Sequence, residues 1–469
     1  MVNSYKKQMY TALATAVIFA SCVTKKYQQP AVNTNNLYRD TTITDTASIA
    51  NIPVNQLFAD TVLQNLIQTG LRENLDLKTA VQRINEADAN LRQSRAAFLP
   101  SLDAGATATR AKQSLAGLNF PAEFASSFNL ATTTYQLALS TSWEADIWGK
   151  LSSAKRAALA SLLQSDAAKR VVQTQLIANI ANNYYNLLAL DKQLEITEQT
   201  LKNRVSDVET MKALKEGAVV TGAAVVQSEA NRYAAEVSIP DLKQNIRETE
   251  NALNILLARA AGPIKRTSLS EQKPYADLQL GVPSQLLKNR PDVQQAEFAF
   301  RSAFENTNLA RTYFYPSLTI SGQGGVSALK IKDLFDHSIF YNVVGGLAQP
   351  IFNRGENKAR LRIAQAQQLE AYYSFQQSLL TAGQEVSNAL YSYQNALSKQ
   401  ETRRKQLDAL EKSVDYTKEL LRYSSSTNYT DVLTSEQSLL SAQLSGINDQ
   451  LQQLQAIVNL YRALGGGWK

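Results

Sequence analysis

The stretch from Asp76 to Leu102 recurs, without a gap, 216 residues later between Asp292 and Leu318. In the first copy Asn74-Leu-Asp-Leu leads to Ala80 and closes on Phe98-Leu-Pro-Ser-Leu; in the second Arg290-Pro-Asp-Val leads to Ala296 and closes on Phe314-Tyr-Pro-Ser-Leu. Each copy continues into two short alternating segments and then a long helix-favouring run. The chain is therefore read as two tandem units of the form helix, strand, strand, long helix, helix. A chain of 469 residues could hold three ordinary domains, but a period this long argues for two fused copies of one architecture.

The long runs set the scale. Residues 151–216 contain neither glycine nor proline, the two residues that most disfavour a helix interior. A helix there is about 100 Å long at about 1.5 Å per residue. Leu187, Leu194, Leu201 and Val208 recur every seven residues, an apolar seam for coiled-coil packing. Gly217, Gly222 and the small residues between them break the run, and a return helix over about 223–260 closes on Gly262-Pro263. Pro240 should kink that return helix. In the second copy a long helix over about 356–421 is broken at Tyr423–Tyr429, and a return helix covers about 430–464. There Leu433, Leu440, Ile447, Leu454 and Tyr461 share one seven-residue phase and Leu444, Leu451 and Val458 another. Two seams mean two neighbours, which suits a closed ring of helices.

Strand candidates lie between the short and long helices, at about 102–111, 132–143, 318–327 and 340–352. Tyr135, Leu137, Leu139, Thr141 and Trp143 alternate with Gln136, Ala138, Ser140 and Ser142. Segments of about ten residues have the length of a tilted strand crossing a bilayer. After residue 22 nothing approaches the run of about 18 apolar residues that a membrane-spanning helix needs. A mature chain that crosses a membrane must do so as strands. Four strands cannot close a barrel, and an open sheet edge cannot face lipid. Several chains must then share one barrel, and the same symmetry gathers the long helices into a helical tube. On strand pattern alone, soluble hairpins on a periplasmic coiled-coil scaffold fit equally well.

The N-terminus carries Lys6 and Lys7, an apolar run from Met9 to Ala20, then Ser21 and Cys22, the layout of a bacterial export signal. Phe19-Ala-Ser-Cys22 resembles a lipobox, which makes residues 1–21 a signal peptide and Cys22 the lipidated first residue. Cys22 is the only cysteine, so no disulfide can form within the chain. Val23 after the cysteine resembles lipoproteins sorted to the outer membrane. The formal charge of +7 is spread among acidic residues on helical stretches and gives no reason to expect nucleic acid.

Trp143-Glu-Ala-Asp-Ile-Trp-Gly-Lys150, Gly281-Val-Pro-Ser-Gln-Leu-Leu287, Asn289-Arg-Pro-Asp-Val293, Gln349-Pro-Ile-Phe-Asn353 and the ending Leu460-Tyr-Arg-Ala-Leu-Gly-Gly-Gly-Trp468 stand in family order. From about residue 55 onward the chain resembles the TolC-like outer-membrane efflux family, and within it the NodT-like lipoproteins of tripartite resistance-nodulation-division pumps. The resemblance implies a mainly α fold with a small β part, as a homotrimer with a shared barrel of twelve strands and a barrel of twelve helices. It implies a lipidated segment at 22–60, a first repeat at 61–262 with its short helix ahead of the strands, an equatorial linker at 263–282 and a second repeat at 283–469, whose short helix is about 291–313. It also implies a periplasmic adaptor, an inner-membrane pump of the resistance-nodulation-division type, and an outer-membrane location. The only covalent group expected is lipid on Cys22, N-palmitoyl and S-diacylglycerol, with no cofactor.

In that family polar residues near the helix-to-helix turns hold the periplasmic tip shut. Here the second-copy turn offers Arg422, Tyr423, Tyr429 and Asp431, although a glycine usual near Ser426 is missing and the loop looks one residue short. The chemistry of an enzyme is not evident. His337 is the only histidine, with no cysteine and no second histidine to complete a metal site, and no phosphate loop is present. One loop histidine cannot activate a serine without a positioned acid. Drugs, dyes, bile salts and metal cations all remain open as cargo, as does a secreted protein. Trp143 and Trp148 fit the strand-to-helix transition at a membrane–water interface, and ordinary packing fits them equally well. Arg290-Pro-Asp-Val reads as a helix start.

Overall fold

The computed structural model of the chain describes residues 24–31, 37–39, 48–114, 131–275, 285–423 and 429–468. Its principal elements are α1 (Thr61–Glu73), α2 (Leu75–Ala96), β1 (Ser101–Lys112), β2 (Ala131–Ala145), α3 (Lys150–Glu216), α4 (Gly222–Leu256), α5 (Leu286–Asn289), α6 (Pro291–Thr312), β3 (Ser317–Ala328), β4 (Ile339–Ala348), α7 (Glu356–Tyr423) and α8 (Tyr429–Ala463). The duplication is written into the element boundaries. Helices α2 and α6 are both 22 residues long, strands β1 and β3 both 12, and α4 and α8 both 35. Ahead of the strands the helix is interrupted in each copy, at Asn74 and at Arg290. Asn74 starts α2 by accepting the Leu77 N–H on its side-chain oxygen at 2.9 Å.

Two compact units share these elements. The first takes residues 1–30, 85–163 and 297–373; the second takes 31–84, 164–296 and 374–469. In the first unit the four strands make one antiparallel sheet in the order β1-β2-β3-β4. The central β2–β3 pairing joins the two copies, with Leu139 opposite Gly324 and Ala138 opposite Gly325. Gly325 is needed there, because a Cβ would collide with the backbone of Leu137 and Ala138. Strand β4 stops at Ala348, short of the expected 352. Pro350 has no N–H to continue the ladder, and Arg354 (φ 55°) and Gly355 (φ 83°) turn the chain in the left-handed region.

The second unit holds an extensive apolar core in which Leu63, Ile180, Tyr184, Leu187, Leu253 and Phe375 are fully buried. The predicted seams turn inward: Leu187, Val208, Leu433, Ile447, Leu454, Val458 and Tyr461 are buried. Asp60 ties three segments together. Its carboxylate accepts from Val62 N–H (2.8 Å), Tyr184 Oη (2.7 Å), Thr267 Oγ1 (2.5 Å) and Gln272 Nε2 (2.9 Å). Burial pushes this carboxyl up, but the donors outweigh it and hold Asp60 below its ordinary value.

Helix α4 runs unbroken through Pro240 and ends at Leu256 rather than about 260. Ala258 adopts φ 53°, Arg259 N–H donates to Asn254 O, and this left-handed closure stops the helix. The end of α3 is similar. There Ala218 (φ 57°), not Gly217, takes the left-handed position, and Val219 N–H donates to Leu214 O at 2.9 Å. Among the described residues no helix is long and apolar enough to cross a membrane.

Candidate functional site

Alternation along the strands, combined with their register, sorts the sheet into two faces. Leu102 and Ala106 on β1, Tyr135, Leu137, Leu139 and Trp143 on β2, Leu318, Ile320 and Val326 on β3, and Ile339, Tyr341, Val343 and Leu347 on β4 share one face. That face is exposed in the single chain: Ile339 is 85 % and Tyr341 84 % accessible. An apolar surface of this kind asks for lipid or another chain. The opposite face carries Ser101, Asp103, Thr107, Gln136, Ser140, Ser321, Gln323 and Asn342. Apolar-out and polar-in with period two is the signature of a membrane barrel around a water-filled lumen. Among the described residues the sheet ends at β1 and β4 with no further strand beside either.

At the helix ends of the sheet, Trp143 Nε1 donates to Phe98 O at 2.9 Å and Trp148 Nε1 to Pro316 O at 2.7 Å. These bonds fix the chain at the strand-to-helix corners. His337 sits exposed in the β3–β4 loop at φ 48°, 3.5 Å from Asp336.

The second unit places the helix-to-helix turns. Tyr423, the last residue of α7, is 85 % exposed. Tyr429 opens α8 but points inward: it is 6 % exposed, its hydroxyl lies 2.9 Å from Ser228 Oγ of α4, and it packs with Met211, Val225, Val432 and Leu433. Asp431 is exposed in the first turn of α8. The Arg422 side chain, residues 424–428 and Cys22 lie outside the described residues. Of the four turn residues singled out from sequence, Tyr429 is thus a packing residue of the helix layer in the single chain.

Sequence reading missed a charge cluster nearby. Arg204 of α3, 3 % exposed, is 2.5 Å from Glu436 of α8; Lys418 of α7 lies 2.7 Å from the other oxygen of Glu436; Asp207 of α3 is 3.8 Å from Arg204. Burial, and next the charge of Glu436, raises Asp207 to about 6. A signal was present: Arg204 falls between Leu201 and Val208 at an inward position of the heptad, where a charge needs partners.

An open-edged sheet with one lipid-suited face, carried with two long helices, α3 of 67 and α7 of 68 residues, each followed by a return helix of 35, has the parts of an outer-membrane conduit. The chain belongs to the outer membrane efflux protein family, whose sequence profile matches residues 66–259 and 282–466. It is 32 % identical over 417 residues to the pyoverdine export outer membrane protein OpmQ of Pseudomonas putida, covering 88 % of this chain and 87 % of that protein. It is 28 % identical over 470 residues to the probable outer membrane lipoprotein SilC of Salmonella typhimurium, covering 97 % and 98 %. Its structure matches the open state of the Neisseria gonorrhoeae MtrE outer membrane channel with a TM-score of 0.83 at 26 % identity, covering 95 % of this chain and 98 % of that one. The fold is TolC-like, as the motifs led one to expect. The chain is an outer-membrane component of an efflux system, and its family is one of channels rather than enzymes.

Proposed function

We propose that three copies of the chain close one twelve-strand barrel in the outer membrane and one twelve-helix tube below it. Through this duct, small molecules pass that an inner-membrane pump of the resistance-nodulation-division type drives through a periplasmic adaptor. The observation that carries the reading is the sheet: four strands, two open edges, one apolar and one polar face. Single-chain barrels begin at about eight strands, so four must be completed by other copies; three copies is what the family resemblance implies. The duct is passive and catalyses no reaction. Drugs, other toxic compounds or metal ions are its cargo class, and the pyoverdine export named for one relative falls within small-molecule transport.

In this reading Cys22 carries diacylglycerol and an N-palmitoyl chain, and no other cofactor is required. The gate is formed at the second-copy turn by Arg422, Tyr423 and Asp431, with Tyr429 holding α8 against α4 through Ser228. Symmetry-related charges near an axis constrict a pore and favour one sign of ion. Cys22→Ser abolishes labelling by radioactive palmitate; continued labelling contradicts the lipid assignment. The duct itself is tested by single-channel conductance of the purified protein in planar bilayers. The wild type conducts weakly and flickers, and Asp431→Ala conducts more. Equal conductance removes the gate assignment, and silence from both removes the channel.

A further inference from the structure

The polar face of the sheet is almost free of formal charge. Over all four strands it presents Ser, Thr, Asn, Gln, small residues and two apolar side chains, with only two ionisable groups, Asp103 and Glu144. Glu144 is neutralised in place: Lys150 Nζ lies 2.9 Å from both of its carboxylate oxygens. The other charges of the strands, Arg110 and Lys112, alternate onto the apolar face at the far end of β1. The described loop between β3 and β4 is balanced, with Lys330 and Lys332 against Asp333 and Asp336. One uncompensated carboxylate per chain is left on the polar face, and the register carries it into a row of uncharged hydrogen-bonding groups: Asp103 opposite Ser140, Ser140 opposite Gln323, Gln323 opposite Asn342. The same residues line a shallow hollow of about 350 Å³ on that face, so the row opens to solvent rather than into a packed core.

We propose that Asp103 sets the charge preference of the strand-lined part of the pore, favouring cationic over anionic solutes while the surrounding hydroxyls and amides pass neutral ones. The inference rests on the duct reading. Twelve strands about 4.8 Å apart and tilted by about 40° put the backbone roughly 12 Å from the barrel axis. The carboxylates project inward from there, so at about 0.1 M salt the axis lies within about one screening length of all three. Among the described strand residues, no cation on the polar face opposes them. At about 1 M salt, where screening shortens to about 3 Å, the preference collapses.

The test is the reversal potential of single channels in a KCl gradient at low ionic strength, for wild type, Asp103→Asn and Asp103→Lys. Asp103→Asn keeps the size and hydrogen bonding of an exposed side chain, so it assembles and conducts as the wild type does. The expected wild-type potential is that of a cation-preferring pore. Asp103→Asn lowers the potassium-to-chloride permeability ratio by about twofold or more, and Asp103→Lys inverts it. Raising the salt brings the three channels together. An unchanged reversal potential in both variants, or an anion-preferring wild type, overturns the assignment while leaving a channel. Absence of conductance in all three removes the duct and this inference with it.

Discussion

The two compact units solve the burial problem in opposite ways. In the second unit Leu63, Ile180, Leu187 and Phe375 are out of solvent within one chain, and polar groups such as Asp60 are satisfied by that chain's own donors. In the first unit β1 is exposed at every residue and β4 nearly so, although every strand is correctly paired with its neighbour in sequence. Hydrogen bonding within a chain completes a helix but leaves two edges on any open sheet. The helical unit therefore buries its core within one chain, whereas the sheet, on the proposed reading, acquires its stability from lipid and from copies of the chain.

Substitutions at matched depth sharpen this contrast. The largest effect falls in the helical core. Phe375→Ala removes a fully buried ring and costs about 3–5 kcal/mol, read as a lower denaturant midpoint of the helical signal whether or not lipid is present. The sheet responds to sidedness instead. Val343→Arg places a charge on the apolar face at a cost of about 2–4 kcal/mol near mid-membrane, whereas Asn342→Ala, one residue away on the polar face, changes stability by less than about 0.5 kcal/mol. Refolding into lipid vesicles separates them; equal costs would break the assignment of faces.

A smaller, pH-dependent effect belongs to the helices alone. The fold favours the neutral acid of Asp207, which is raised from 3.8 to about 6 by burial and Glu436. Its contribution is full below about pH 4 and is lost as the pH rises through about 6, a change on the order of 3 kcal/mol. Arg204 and Glu436 face it, with Lys418 bonded to Glu436 and Tyr429 close by. Asp207→Asn flattens the stability profile between those pH values, and an undiminished slope in that variant would exclude Asp207 as its source.

Much of this architecture was legible because it is repetitive. The copies differ by 216 residues at Asn74 and Arg290, at the starts of β1 and β3, and at Pro100 and Pro316. The long helices were legible because α3 lacks glycine and proline and α7 lacks proline and holds a single glycine, Gly383, and the faces of β2 because its alternation is regular. Local closures were less so. Ala258 and Ala218 take left-handed backbone that sequence assigns first to glycine, and Pro350 ends β4 although apolar residues continue to Phe352. Tyr429 looked like a turn residue, and only the helix packing shows that it turns inward to Ser228. The Arg204 cluster escaped because its partners Lys418 and Glu436 come from helices more than 200 residues along the chain. Cys22 is read from sequence alone.

The central claim is that the open edges at β1 and β4 are closed by further copies of the same chain. The mass of the detergent-extracted assembly, by native mass spectrometry, tests it directly. Three chains per particle is the predicted result. A monodisperse single chain that keeps its strand signal would contradict the shared barrel.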